Sequence, residues 1–227
     1  MDTVIGLGEI GKPLFKILSE VYPDTVAIDI DSPTDIKEID IMNICIPYSD
    51  DFIKIVQDYI SAYNPSLVII HSTVPIGATS KISDKAVHSP ILGKHGNMEM
   101  SIRKFDKWVG GKEAHKAAAY LNGAGINCIV VDKAEETEAL KLMCLAKYGM
   151  SIAFAEYQRR IAETYDFPYV DILKWDANYN RNVDPNLRRP IIYPPLGKIN
   201  GHCVLSNTKI LNKQHPNPIL EEILKYQ

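Results

Sequence analysis

A glycine-rich segment near the N-terminus has the residue types and the spacing that bind phosphate groups. The segment reads Gly6, Leu7, Gly8, Glu9, Ile10 and Gly11. It fits G-x-G-x-x-G, in which the first glycine permits a tight turn and the second lets backbone approach a pyrophosphate. The third glycine lets a helix pack on a strand, and the N-terminus of that helix offers N–H groups and a partial positive charge. The sequence therefore predicts a dinucleotide site here.

An acidic residue follows at the end of the next predicted strand. Asp29 stands where a carboxylate would accept hydrogen bonds from both hydroxyls of an adenosine ribose and would repel a 2′-phosphate. Residues 31–34, which come next, include no arginine that could hold such a phosphate. We therefore predict that the cofactor is NAD rather than NADP.

The elements that must position these residues alternate between strand and helix. Continuous apolar runs predict the strands Thr3–Gly6, Thr25–Ile30, Ile39–Pro47, Leu67–His71, Ala86–Ser89, Lys107–Gly110 and Asn127–Val131. Helical spacing or composition predicts helices at Ile10–Glu20, Asp50–Tyr63 and Lys112–Ala124. Apolar strands separated by helices indicate a parallel sheet that is covered on both faces. We predict an α/β fold with a Rossmann-type, doubly wound parallel sheet.

The pattern changes to helix after Asp132. Ala134–Thr164 is predicted as one long helix, followed by Val170–Asn178 and a short helix at Ile219–Tyr226, while residues 185–201 are predicted as a loop. We divide the chain into an NAD-binding domain, residues 1–132, and a helical central or dimerisation domain with a cysteine loop, residues 133–227. The middle of the long helix is apolar on nearly every side, which predicts a homodimer.

Composition and charge exclude several classes of protein. Among 227 residues, 25 Lys and Arg and 28 Asp and Glu give a net charge of −3, so nucleic-acid binding is not expected. Charged residues interrupt the longest apolar run, and no secretory signal precedes the first strand, so no membrane partner is expected. The four cysteines form no CxxC pair, and no histidine cluster has zinc spacing. We expect reduced thiols, a cytoplasmic protein and no metal.

Four further segments carry a family resemblance. They are Asn43–Pro47 (NICIP), His71–Gly77 (HSTVPIG), Glu138–Lys141 (EALK) and Gly201–Cys203 (GHC). In this order they resemble the I-C-V-P, S-T-V-P-x-G, A-E-x-x-K and G-G-H-C motifs of the UDP-glucose/GDP-mannose (nucleotide-sugar) dehydrogenase family. The resemblance extends over nearly the whole chain. It implies an oxidoreductase that acts on a sugar-like alcohol, with Pro47 on the cofactor side of the site.

The resemblance also implies the catalytic roles. Cys203 would be the nucleophile of a four-electron oxidation, in which an alcohol becomes an aldehyde, the thiolate forms a thiohemiacetal, and a second hydride leaves. The resulting thioester would then be hydrolysed. Lys141 would stabilise the oxyanions, and Thr73 would lie near the nicotinamide and a catalytic water.

Several positions depart from the family pattern. Leu145 replaces an Asn one turn after Lys141, and Asn207 replaces the Asp four residues after the cysteine. The segment Ser89–His95 lacks both carboxylates of the family's N-P-E-F-x-x-E, although His88, Lys94 and His95 could rebuild a polar pocket. The chain ends soon after Cys203, so we expect a truncated form without the UDP-binding domain. Asn207 cannot accept a proton at neutral pH, so thioester hydrolysis should be slow.

Three functions therefore stay open. The first is an NAD-dependent dehydrogenase of the nucleotide-sugar type, favoured by Cys203 and Lys141. The second is a two-electron alcohol or hydroxyacid dehydrogenase of the 6-phosphogluconate or β-hydroxyacid type, which needs no nucleophilic cysteine. The third is a non-catalytic NAD-binding dimer. Leu145 and Asn207 favour the second or the third.

Overall fold

The computed structural model describes residues 1–29, 38–93, 96–195, 197–199 and 202–227, with the backbone alone at residue 202. The strands of these residues are β1 (Asp2–Ile5), β2 (Val26–Ile28), β3 (Ile41–Ile44), β4 (Leu67–Ile70), β5 (Ala86–His88), β6 (Lys107–Gly110) and β7 (Cys128–Val131). The helices are α1 (Gly11–Val21), α2 (Phe52–Tyr63), α3 (Ala78–Ile82), α4 (Met98–Lys104), α5 (Ala114–Gly123), α6 (Ala134–Thr164), α7 (Val170–Asn182), α8 (His202–Gln214) and α9 (Pro218–Leu224). A 3₁₀ turn spans Pro185–Leu187.

The strands form one sheet in the order β2-β1-β3-β4-β5-β6-β7. Neighbouring strands are parallel except β5 and β6, which pair antiparallel through His88 and Gly110. The predicted Rossmann-type fold is confirmed, and the expectation of a wholly parallel sheet is wrong at this one pair. An apolar run shows that a strand is buried but does not show its direction, so the sequence could not reveal the reversal.

Each face of the sheet carries its own apolar core. On one face, side chains such as Leu14 of α1, Ile102 of α4 and Leu121 of α5 pack on the strands and are nearly inaccessible to solvent. On the other face, Phe52 of α2 and Ile82 of α3 do the same. Because both faces are covered, the sheet is doubly wound, as the continuous apolar strands predict.

The chain divides into two compact units, Met1–Lys141 and Leu142–Gln227. The predicted boundary after residue 132 falls at the end of β7, whereas the units divide inside α6. In the second unit α6, α8 and α9 pack closely where Gly149 of α6 lies. A Cβ atom at Gly149 would come within 2.7 Å of Val204 and 2.9 Å of Ile223. None of the helices in the described part of the chain has the length and apolar character that a membrane crossing requires.

All three predicted C-terminal helices begin within one residue of the expected position, and one observed helix, α8, was missed. The bounds of α6 are those predicted, and α7 continues four residues past the expected end at Asn178. The expectation that Cys203 lies in a loop is wrong, because α8 begins at His202. Asn207 and Thr208 are weak helix formers, and packing of the buried Val204 compensates for their low propensity.

Candidate active site

The glycine-rich segment joins β1 to α1 at the point where the order of successive strands in the sheet reverses. The strand β1 lies between β2 and β3, so chain connections leave it toward both sides. In such sheets ligands bind in the crevice outside the carboxyl ends of the strands at this switch point. The helix α1 starts at Gly11, and no described side chain caps its N-terminus. The Lys12 N–H donates to the Gly8 carbonyl at 3.2 Å and Pro13 has no N–H, so the start of α1 offers an anion mainly the positive end of the helix dipole.

Each of the three glycines has a separate geometric reason. Gly6 has a φ of +89°, a backbone conformation that favours glycine. A Cβ atom on Gly11 would lie 1.7 Å from the Gly6 carbonyl oxygen, so only glycine lets the helix start against the strand end. A Cβ atom on Gly8 would meet nothing within 4 Å. The space beside Gly8 therefore matches the role of the second glycine, which lets a phosphate approach the backbone.

Asp29 is at the end of β2, beside this loop. Its carboxylate accepts a hydrogen bond from the Leu7 N–H at 3.3 Å, and its side chain is half-buried. The acid is thus fixed next to the glycine loop, which is the place that ribose recognition requires. The second half of the cofactor argument, on residues 31–34, lies outside the described residues.

The motif that follows β3 packs against the glycine loop. The Cys45 N–H donates to the Ile5 carbonyl at 2.8 Å, and the Cys45 Cβ would be 3.3 Å from a Cβ atom on Gly11. Burial raises the pKa of the Cys45 thiol to about 12, so this cysteine packs as a small apolar group rather than reacting. Pro47, which we assigned to the cofactor side, is exposed at the same edge of the sheet.

The segment after β4 is held by a carboxylate from α6. Glu138 is fully buried, and its two oxygens accept hydrogen bonds from the Gly77 N–H at 2.6 Å and the Thr79 N–H at 2.8 Å. Burial raises the pKa of Glu138, while these hydrogen bonds oppose the rise. Thr73, the residue assigned next to the nicotinamide, is half-buried at the start of the segment that Glu138 fixes.

Lys141 lies one turn after Glu138 on the same helix. Its side chain is half-buried, and its ammonium group donates to the Ile91 carbonyl at 2.7 Å. The first turns of α6 therefore meet both the segment after β4 and the segment after β5. Leu145, which stands where the family has an asparagine, follows a turn later and is half-buried.

The histidine expected in a rebuilt polar pocket is part of the core instead. Both ring nitrogens of His88 are engaged: Nδ1 lies 2.8 Å from the Thr137 hydroxyl and Nε2 lies 3.1 Å from the Ser72 carbonyl. Burial lowers its pKa to about 3, so the ring is neutral at physiological pH and faces no solvent. His88 is therefore not a candidate base. The other two members of the expected pocket, Lys94 and His95, lie outside the described residues.

The second unit carries the remaining predicted residues on α8. Cys203 is the second residue of α8 and is half-buried. Asn207 follows four residues later on the same face of the helix and is buried. Gly201 and the side chain of His202, which complete the family motif, lie outside the described residues. All four cysteines are thiols rather than disulfides. Within the described ranges, no cluster of His, Cys, Asp or Glu could hold a metal ion.

The sequence placed Glu138 in a motif without indicating its contact, and it gave no indication of a role for Lys107. The helix-to-loop contact of Glu138 joins positions 61 and 59 residues apart, which no local pattern reveals. Lys107 is 3% exposed, and its ammonium group donates to the carbonyls of Ser89 and Pro90. A lysine at the start of an apolar strand is usually a solvated residue, so the sequence offered no signal that this one is buried.

Comparison with known proteins identifies relatives among sugar-nucleotide enzymes. No protein-family profile matches the chain. A UDP-N-acetyl-D-mannosamine dehydrogenase from Methanocaldococcus jannaschii is 25% identical over 88% of this chain. The present chain spans 58% of the length of that relative.

Solved structures show the same fold. A UDP-D-ManNAc dehydrogenase from Pyrococcus horikoshii matches all of this chain and 68% of its own, with a TM-score of 0.82 and 18% identity. A Mycobacterium tuberculosis 3-hydroxyisobutyrate dehydrogenase matches 99% of this chain and 91% of its own, with a TM-score of 0.71 and 14% identity. The resemblance that the sequence motifs indicate is confirmed: this chain is similar to the nucleotide-sugar dehydrogenases.

Proposed function

We propose that this chain contains the cofactor-binding and central parts of an NAD-dependent dehydrogenase that oxidises an alcohol group of a nucleotide sugar. The observation that carries the proposal is the carboxyl edge of the sheet. There the open space at Gly8, the adjacent Asp29 carboxylate and the ammonium group of Lys141 belong to one compact unit. The sugar-nucleotide substrate of the M. jannaschii relative supports the substrate class.

The residues of the glycine loop fit NAD. The backbone of the loop around Gly8 and the positive end of the α1 dipole would bind the pyrophosphate, and Asp29 would accept hydrogen bonds from the adenosine ribose. NAD, when bound, supplies the hydride acceptor for alcohol oxidation. A 2′-phosphate would bring negative charge next to the Asp29 carboxylate, so NAD should bind in preference to NADP.

The catalytic assignments follow the family resemblance. We propose that the Cys203 thiolate adds to an aldehyde carbonyl and that the Lys141 ammonium group stabilises the resulting oxyanion. The position of Cys203 in the first turn of α8 supports this role, because the N-terminal end of a helix stabilises negative charge. Loss of a hydride gives a thioester, which water cleaves to release the acid and the thiol. Thr73 would place that water.

The second half of the oxidation should be slow. The buried Asn207, on the same face of α8 as Cys203, is an amide that cannot take a proton from water at neutral pH. Loss of a general base typically slows a step by about 10² to 10⁴. His88 cannot replace it, since its ring nitrogens are hydrogen-bonded inside the core. We therefore expect either that an acyl-enzyme accumulates on Cys203 or that the aldehyde is released after one hydride transfer.

We also propose a homodimer built on α6. The helix exposes large apolar side chains, among them Met143, Phe154 and Tyr157, each about half accessible. An open groove of about 460 Å³ beside Phe154 is lined mainly by apolar residues of α6 and α9. Association with a second copy would remove this apolar surface from water. A cytoplasmic location, expected from the cysteine pattern, stays a prediction.

A two-electron hydroxyacid dehydrogenase is the second candidate. Its support is the M. tuberculosis 3-hydroxyisobutyrate dehydrogenase, of which this chain covers 91%. Leu145 and Asn207 also favour this candidate, because a two-electron reaction needs no thioester hydrolysis.

The experiment that separates the candidates measures NADH formed per substrate consumed. UDP-N-acetylmannosamine, UDP-glucose and 3-hydroxyisobutyrate would each be incubated with the protein and NAD, with intact protein mass followed during turnover. Oxidation of a UDP-sugar with an adduct on Cys203 supports the proposal. Cys203→Ser should abolish the adduct, while Cys144→Ser, at an exposed position of α6, serves as the control. Oxidation of 3-hydroxyisobutyrate alone, unaffected by Cys203→Ser, would establish the second candidate.

A further inference from the structure

Lys107 is a buried lysine at the same edge of the sheet as the candidate site. It is the first residue of β6, and β6 runs antiparallel to β5, so Lys107 lies beyond the carboxyl end of β5. Its side chain is 3% exposed. Its Nζ donates to the carbonyls of Ser89 and Pro90, the latter at 3.2 Å. Burying an ammonium group is costly, so a position that keeps one calls for a specific reason.

The carbonyls that receive Lys107 belong to the segment that also receives Lys141. The residues Ser89, Pro90 and Ile91 are consecutive and buried, and Lys141 donates to the Ile91 carbonyl at 2.7 Å. Three carbonyls in a row thus accept hydrogen bonds from two lysines of different elements. Pro90 has no N–H group to anchor the segment. The Ser89 N–H donates to the Ile70 carbonyl at 2.8 Å, and His71 Nδ1 lies 3.0 Å from the Ser89 carbonyl. The lysines therefore act mainly on the carbonyls of Pro90 and Ile91, which follow this anchored residue.

The charges around Lys107 couple it to Lys141. The groups that act on its charge are Cys45 at the end of β3, Cys128 in β7 and Lys141 in α6, and none of these three is a carboxylate. Two neutral histidines, His71 and His88, also lie within range of its charge. Burial and, to a smaller extent, the charge of Lys141 lower the pKa of Lys107 to about 7, while Cys45 and Cys128 oppose the fall. Because such coupling is reciprocal, a charged Lys107 disfavours the charge on Lys141.

We propose that Lys107 is a positioning residue that fixes the Ser89–Ile91 carbonyls, so that Ile91 holds Lys141 in place, and that the charge of Lys107 controls the charge of Lys141. The inference rests on the proposed function, in which Lys141 stabilises an oxyanion. Above neutral pH Lys107 loses its proton, which relieves the repulsion and keeps Lys141 charged to higher pH. A permanently charged residue at this position would instead make Lys141 lose its proton at lower pH.

The test measures the protonation of Lys141 directly. Competitive labelling with acetic anhydride, read by mass spectrometry across pH, gives a midpoint for Lys141 that requires no substrate. In Lys107→Arg the midpoint should fall about one pH unit below that of Lys107→Met, with the wild type close to Lys107→Met. Lys112→Met, at an exposed lysine of the same unit, is the control and should leave the midpoint unchanged. Equal midpoints in Lys107→Arg and Lys107→Met would overturn the inference.

A kinetic measurement then tests positioning. The assay contains NAD and a UDP-sugar that the protein oxidises. Lys107→Met should lower kcat about tenfold to a hundredfold, while Lys107→Arg should retain most of the wild-type kcat. As pH rises, the activity of Lys107→Arg should fall at a lower pH than that of the wild type. The KM for NAD should not change, because the glycine loop is untouched. An unchanged kcat in Lys107→Met would overturn the positioning role. If Lys107→Met does not fold, the midpoint in Lys107→Arg is compared with the wild type, and equality overturns the inference. If no UDP-sugar is oxidised, the proposed function fails while the labelling result still decides the coupling.

Discussion

Two alanine substitutions in the glycine loop should separate folding from cofactor binding. In Gly11→Ala the new Cβ would lie 1.7 Å from the Gly6 carbonyl oxygen, whereas ordinary van der Waals contact begins near 3.4 Å. To restore ordinary contact, the start of α1 would have to move away from β1 by roughly the difference between those two distances. Overpacking of this kind costs about 3 kcal/mol. For a chain of this size that loss corresponds to a fall in Tm of about 6–12 °C.

Gly8→Ala is the matched comparison. Its Cβ would meet nothing within 4 Å, and the backbone at Gly8 does not have a positive φ. The melting temperature should therefore stay within about 1 °C of the wild type, while the added methyl group occupies the space that a pyrophosphate needs. We expect NAD binding, measured by calorimetry, to weaken about tenfold or more, which is at least about 1.4 kcal/mol. Unchanged NAD affinity in Gly8→Ala would refute the assignment of this loop as the pyrophosphate site.

Three further predictions concern other parts of the molecule. Asp29→Ala should weaken NAD binding and reduce the ratio of NAD affinity to NADP affinity, which parallel titrations with both cofactors would measure. Tighter binding of NADP than of NAD by the unmutated protein would contradict the assignment. Burial lowers the folded-state pKa of His88 to about 3, while an unfolded histidine titrates near 6.5, so the stability of the fold should fall as pH drops below about 6.5. Thermal melts across pH would measure this fall. It should be shallower in His88→Gln than in His115→Gln, which changes an exposed histidine and serves as the control. Phe154→Asp, in the exposed apolar face of α6, should give a monomer in light scattering, and a wild type that is already monomeric would exclude the dimer.

The sequence predicted the sheet well because buried parallel strands have an unambiguous pattern. Strands such as Leu67–Ile70 are apolar at every position, and the long helix α6 is a continuous run without glycine or proline breaks near its ends. The glycine loop was equally readable, since each glycine answers to a local backbone requirement. The predicted strand bounds at Lys107–Gly110 match the observed ones, although the direction of that strand did not follow from its composition.

The parts that sequence reasoning missed depend on contacts between distant residues. The helix α8 contains weak helix formers and is stabilised by packing of residues such as Val204, so its local pattern looked like a loop. The roles of Glu138 and Lys107 arise only when separate segments meet at the sheet edge. His88 seemed available for a polar pocket because sequence shows a histidine's identity but not its burial or its hydrogen bonds.

The contact between Glu138 and the segment after β4 has a consequence for how the chain acquires its fold during synthesis. The carboxylate binds N–H groups that precede it by 61 and 59 residues, so β5, β6 and β7 are all synthesised between the two halves of the contact. Such a long closure is slow compared with local helix formation, and chains fold from the N-terminus as they emerge. The glycine loop can therefore form on a nascent chain while Gly77 and Thr79 still lack their partner. The growing chain should therefore bind the cofactor before the segment that contains Thr73 is fixed. Truncated chains that end before α6 should bind the dinucleotide but should not hold Thr73 in its final position.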